Sequence, residues 1–141
     1  MGGYVIMIIQ EIYLKDWKWS VKVFYAVDTY YVGDILGELE AIGCSRDDLK
    51  QAEACLCGVN SGLTYSNFKN RSSVIVIGLT SSAAQFQNTF DHEKGHLAMH
   101  ICGFLNIDPF GEEFQYLVGE IGQDMFPVAK TFLCDRCRKQ L

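Results

Sequence analysis

The sequence predicts one small α+β domain, residues 1–141, built on a small mixed sheet. Three observations carry that expectation. Two strand-rich stretches are each followed by segments of helical apolar periodicity, giving the order ββαα-ββ-αα. With 141 residues, 49% of them hydrophobic and 13% aromatic, the chain has the size and apolar content of one folded core. No internal repeat or low-complexity linker divides it.

Residues 5–13 and 17–27 read as strands. The second alternates Trp17, Trp19, Val21 and Val23 with Lys18, Ser20 and Lys22, and Lys15-Asp16 supplies a turn, so a β-hairpin is expected. Asp28 or Thr29 caps a helix carrying Ile35, Leu36, Leu39 and Ile42, closed by Gly43. Ser45 and Asp48 then resemble a capping box before Leu49, Ala52 and Leu56, and Gly58 ends that segment. Residues 63–67 and 73–79 read as strands joined across Lys69-Asn70-Arg71, the second containing the apolar run Val74-Ile75-Val76-Ile77.

Ser81 or Ser82, with Gln85, caps a helix whose periodicity runs through Phe86, Phe90, Leu97, Ile101 and Phe104, with Gly103 and Asn106 as terminators. Asp108-Pro109 marks the start of a last helix with Phe114, Leu117, Val118 and Ile121 on its core stripe, broken or kinked at Pro127.

The formal charge of −5 gives no broad attraction to nucleic acid or anionic membrane, although Arg136, Arg138 and Lys139 make a small basic tail. The apolar run at residues 4–9 lacks a preceding basic residue and is ended by Gln10-Glu11, so it reads as a buried strand rather than a signal peptide. No stretch approaches the length of a membrane span. The six cysteines, Cys44, Cys55, Cys57, Cys102, Cys134 and Cys137, therefore read as reduced thiols and the chain as cytoplasmic.

The chemistry-bearing stretch is His92-Glu93-Lys94-Gly95-His96, an HExxH in the middle of the third expected helix. Residues i and i+4 share a helix face, so both imidazoles can reach one zinc ion while Glu93 stands beside it. His100 is close in sequence but eight helical residues, about 12 Å, from His92, so one ion cannot take all three histidines. A catalytic zinc needs a third protein ligand and an open position. The following helix offers Glu112, Glu113 and Glu120. Glu113 lies at the edge of the core stripe in the first turns, which favours it; Glu112 and Glu120 remain alternatives.

Mid-helix Gly95 suggests close approach of another element. Asn88 and Asp91 are near enough in sequence to orient His92 or His96, and Lys94 reads as a solvated charge. The Cys55-Leu56-Cys57 and Cys134-Asp135-Arg136-Cys137 pairs supply a second, weaker metal hypothesis, a four-thiolate structural zinc site.

A helix bearing HExxH, followed by one supplying a Glu, is similar to the gluzincin branch of the zincin metallopeptidases. The phrases NTFDHEKGH and GEEFQYLVGEI resemble small zincin-like proteins of bacterial phage and mobile elements. The match spans roughly residues 73–121, about a third of the chain. It implies a zincin-like fold and a zinc-dependent peptidase acting on a peptide or protein substrate, with His92, His96 and Glu113 as ligands and Glu93 as general base. It further implies residues 73–79 as an edge strand for an extended peptide. Tyr116 would then be a candidate oxyanion donor.

Metzincins fit less well, because their longer motif requires Gly at Met99 and His at Cys102. The interval from His96 to Glu113 is also shorter than in the large thermolysin-like enzymes, whose second domain this chain has no room for. The alternative expectation is a non-catalytic zincin-like module that binds zinc or a protein.

Overall fold

Alternation of Trp19, Val21 and Val23 with Ser20 and Lys22 gives one strand a face for the core and a face partly for solvent. The computed structural model, which describes residues 7–27, 31–56 and 62–140, pairs this strand, β2 (Trp19–Val27), antiparallel with β1 (Ile8–Leu14), from Leu14↔Trp19 to Ile8↔Tyr25. The turn is wider than Lys15-Asp16. Trp17 leaves the strand to bury its ring against the core, and Lys18 takes a positive φ of 53°. Residues 5 and 6 of the first expected strand lie outside the described residues.

Past Lys22 the alternation fails because both faces of β2 are covered. Ala26, at φ 60°, sits where the register between β2 and its neighbour slips. Tyr25 and Ala26 therefore both join one core, and Val27 turns to the other.

Helix α1 (Val32–Ala41) presents the fully buried Ile35 and Leu39 to the sheet, and Gly43, at φ 95°, turns the chain after it. The expected caps Asp28 and Thr29 lie outside the described residues, as does Gly58. In α2 (Arg46–Leu56) the Ser45 hydroxyl accepts from the Asp48 amide at 3.1 Å, the N-terminal half of the expected capping box.

Strands β3 (Gly62–Asn67) and β4 (Ser72–Gly78) follow, and the sheet order is β1-β2-β4-β3. This corrects the expectation that residues 73–79 form an edge. β4 is interior, parallel to β2 and antiparallel to β3. Its run Ser73 to Ile77 is buried throughout, the pattern of a strand covered on both faces, and the open edge falls to β3.

The Ser82 hydroxyl accepts from the Gln85 amide and caps α3 (Ala83–Leu105), while the Gln85 carboxamide oxygen accepts from Ser81, one residue before the N-cap position a strict capping box would use. Asn106, at φ 57°, ends it, and Gly103 lies within it. Asp108 does not cap the next helix. Its carboxylate accepts from Phe110 N–H and its carbonyl from Gly111 N–H, a local turn that delays α4 (Glu112–Phe132) until after an extended Gly111. Pro127 does not end α4 either. The Gln123 carbonyl, to which Pro127 cannot donate, is on an exposed residue, open to solvent. A one-turn helix not expected from the sequence, α5 (Asp135–Arg138), closes the described chain.

The result is an α+β fold with a four-stranded mixed sheet between helical layers. Trp19, Val21, Val23, Tyr25, Ile75 and Ile77 meet α3 and α4 on one face, while Phe24, Val74 and Val76 meet α1 and α2 on the other. Among the described residues, no helix is long and apolar enough to cross a membrane.

Candidate functional site

Helix α3 packs through Phe86, Phe90, Leu97, Ala98 and Ile101, which fixes the direction of every other side chain on it. His92 and His96 fall on the exposed side, and Glu93, a quarter-turn round, faces β3 and is only 4% exposed. The Nε2 atoms of His92 and His96 stand 3.0 Å apart. Zinc bound tetrahedrally at about 2.05 Å from each of two imidazole nitrogens sets those nitrogens about 3.3 Å apart. The two rings are within hydrogen-bond distance of each other, at a separation close to that of two imidazole nitrogens on one zinc ion.

Glu93 is held by two residues of β3 that sequence reasoning missed. The Thr64 hydroxyl lies 2.9 Å from Glu93 Oε1 and 3.1 Å from its carbonyl oxygen, and donates to the carboxylate. At Gly62 a Cβ would stand 2.7 Å from Glu93 Oε2 and 2.8 Å from its Cγ, so glycine is what lets strand and helix approach this closely. The signal was present as a period of two: Gly62, Thr64 and Ser66 are small residues on one face of a strand, interleaved with Leu63, Tyr65 and Asn67. Thr64→Val keeps the shape but leaves a buried carboxylate without its hydroxyl donor. It is expected to cost about 1–3 kcal/mol, measured by urea unfolding against wild type; an unchanged midpoint would show that the bond carries no net stability.

Farther along the same strand, Ser66 engages His100. Trp19 Nε1 donates to Ser73 Oγ at 2.8 Å, the Ser73 and Ser66 hydroxyls are 2.6 Å apart, and Ser66 Oγ is 2.8 Å from His100 Nδ1. An indole only donates, so donations running Trp19 to Ser73 to Ser66 to His100 satisfy every atom with a neutral ring. Burial, and then the neighbouring His96, hold His100 below the ordinary histidine range. One nitrogen of His100 is thus taken up by the sheet.

Glu113 does not complete a three-donor group with His92 and His96 among the described residues, and its charge bears on Cys102 farther along α3. Glu112 is exposed in the same first turn of α4. Glu120 faces elsewhere: burial first, then the charges of Asp16 and Asp124, raise its carboxyl. Among the described residues, no three His, Cys, Asp or Glu side chains gather around a point that could hold an ion. The donor set fits zinc at two positions, His92 and His96, and the expected third carboxylate does not join them.

Other expected roles are reassigned by contacts. Lys94 is not a fully solvated charge: its ammonium group lies 3.3 Å from Asp91, over the Phe90 ring, and close to Gly122 of α4. Asp91 is thereby taken up by Lys94. Nothing approaches within 4 Å of a Cβ built at Gly95, so the close approach expected there is found at Gly62 instead. Tyr116 is 68% exposed on α4. Cys55 Sγ lies 3.6 Å from the Gly62 carbonyl, Cys134 and Cys137 lie on α5 and its cap, and Cys57 lies outside the described residues.

No family model, curated protein or solved structure matches the chain.

Proposed function

We propose that this chain is a zincin-like, zinc-dependent peptidase acting on a peptide or protein substrate. The observation that supports the reading is the His92–His96 pair at chelating distance on the helix that also buries Glu93 against Thr64 and Gly62. His92 and His96 hold the metal. Zinc, when bound, supplies Lewis acidity at the reacting carbonyl. Glu93 takes the proton of the attacking water and returns it to the leaving amine, the work of a general base and then a general acid. Thr64 fixes one carboxylate oxygen, which limits the rotamers Glu93 samples and keeps its basic oxygen in one place. β3, which lies at one edge of the sheet, runs beside this carboxylate, and an edge strand suits pairing with an extended chain.

A second reading, a non-catalytic zincin-like module that binds zinc or a protein, has its own support. No third ligand joins the pair among the described residues, and Glu93 is almost fully buried. Zinc analysis followed by digestion of a peptide library separates the two. The peptidase reading expects bound zinc and chelator-sensitive cleavage. Bound zinc without cleavage selects the module, and purified protein that takes up no zinc on loading overturns both.

A further inference from the structure

After α4 the chain passes through Cys134-Asp135-Arg136-Cys137. Cys134 is extended, at φ −132° and ψ 120°, and Asp135 to Arg138 form one helical turn, so the two cysteines are brought onto the same turn. There Cys134 is the N-cap and Cys137 the third residue of the turn, with the two thiols near enough to interact and the Cys137 and Arg136 amides turned toward the Cys134 sulfur. The turn is anchored. Asp135 Oδ1 accepts from the Ala83 amide at 2.8 Å, Arg138 donates to the Thr80 carbonyl, and Arg138 lies 3.7 Å from Asp135. The segment between the cysteines is thus clasped to the start of α3, with Cys137 exposed and Cys134 half-buried, whereas Cys44 and Cys102 are buried in the cores.

We propose that Cys134 and Cys137 form a reversible dithiol–disulfide site, oxidised by a low-molecular-weight disulfide. Cys134 is the attacking sulfur. The Cys137 backbone amide, then its thiol and the Arg136 amide, draw Cys134 below the ordinary thiol range, while Cys137, which gives its S–H to Cys134 and faces its charge, is pushed up. The Cys134 thiolate attacks one sulfur of R–S–S–R, forming a mixed disulfide and expelling R–S⁻, which takes up the proton Cys134 lost. Cys137 then loses its proton and attacks the Cys134 sulfur, closing the ring and releasing the second thiolate, which takes up that proton. Two protein thiols and one R–S–S–R become one protein disulfide and two R–SH. Because the clasp already holds both sulfurs on one turn, the second step is intramolecular and outruns accumulation of the mixed disulfide.

The test is exposure of the reduced full-length protein to excess glutathione disulfide, with acid quench, intact mass and peptide mapping. Wild type is expected to lose two hydrogens, with Cys134 joined to Cys137 and dithiothreitol reversing the change. Cys137→Ser is expected to keep one glutathione on Cys134, at about tenfold or more the wild-type level of adduct, because nothing resolves it. Cys134→Ser is expected to gain adduct at Cys137 about tenfold or more slowly. A lasting mixed disulfide in wild type, bonds between chains, or oxidation at Cys55 or Cys57 with Cys134 and Cys137 still reduced would each overturn the proposal.

Discussion

His92→Ala and His96→Ala are each expected to lower zinc affinity by more than about a hundredfold, above the 10–100-fold typical of losing an outer partner of a ligand. The reason is the chelate. With Nε2 atoms 3.0 Å apart on a rigid helix, the second imidazole binds without a further loss of freedom; removing either leaves a single monodentate histidine. Both residues are exposed, so the substitutions are expected to change folding stability by no more than about 0.5 kcal/mol. Competition against a chromophoric chelator, with circular dichroism on the same samples, measures both quantities. His100→Ala is the control: its Nδ1 belongs to the Ser66 network, so zinc affinity is expected to stay within about tenfold of wild type while stability falls. Wild-type affinity in His92→Ala would remove the pair as the metal site.

What could be read ahead of the structure follows the range of the interactions. An i,i+4 histidine pair is set by helix geometry alone, and the serine caps at Ser45 and Ser82 reach amides only three residues on, so these features were legible. Glu113 depended on where two helices meet. Helix α3 runs nine residues past His96, about 14 Å, before Asn106 ends it. The Asp108 turn then holds α4 back to Glu112. The first turn of α4 therefore meets the far end of α3, and Gly122, not Glu113, stands beside the HExxH segment at Lys94. Strand order was hidden for a similar reason. The unbroken apolar run in β4 did carry the mark of an interior strand, but its parallel partner β2 is a non-local choice. Thr64 and Gly62 were missed because their importance lies in a carboxylate about thirty residues away in sequence.

Glu93→Gln is expected to reduce peptide cleavage by about 10²–10⁴-fold, the usual scale for losing a general base, with kcat falling and KM nearly unchanged. The substitution suits the surroundings. Glutamine keeps a carbonyl oxygen for the Thr64 hydroxyl and has the volume of glutamate, so Gly62 still accommodates it. Its amide nitrogen cannot take a proton from water and, packed against β3, needs an acceptor of its own. A stability cost of about 1 kcal/mol is therefore expected alongside the catalytic loss. Zinc affinity is expected to stay close to wild type, because His92 and His96 are untouched. Steady-state kinetics on a peptide cleaved by wild type, with zinc content measured on the same preparation, tests this. Undiminished turnover in zinc-replete Glu93→Gln would take the base away from Glu93, and zinc lost together with activity would make Glu93 a support of the metal pair rather than the base.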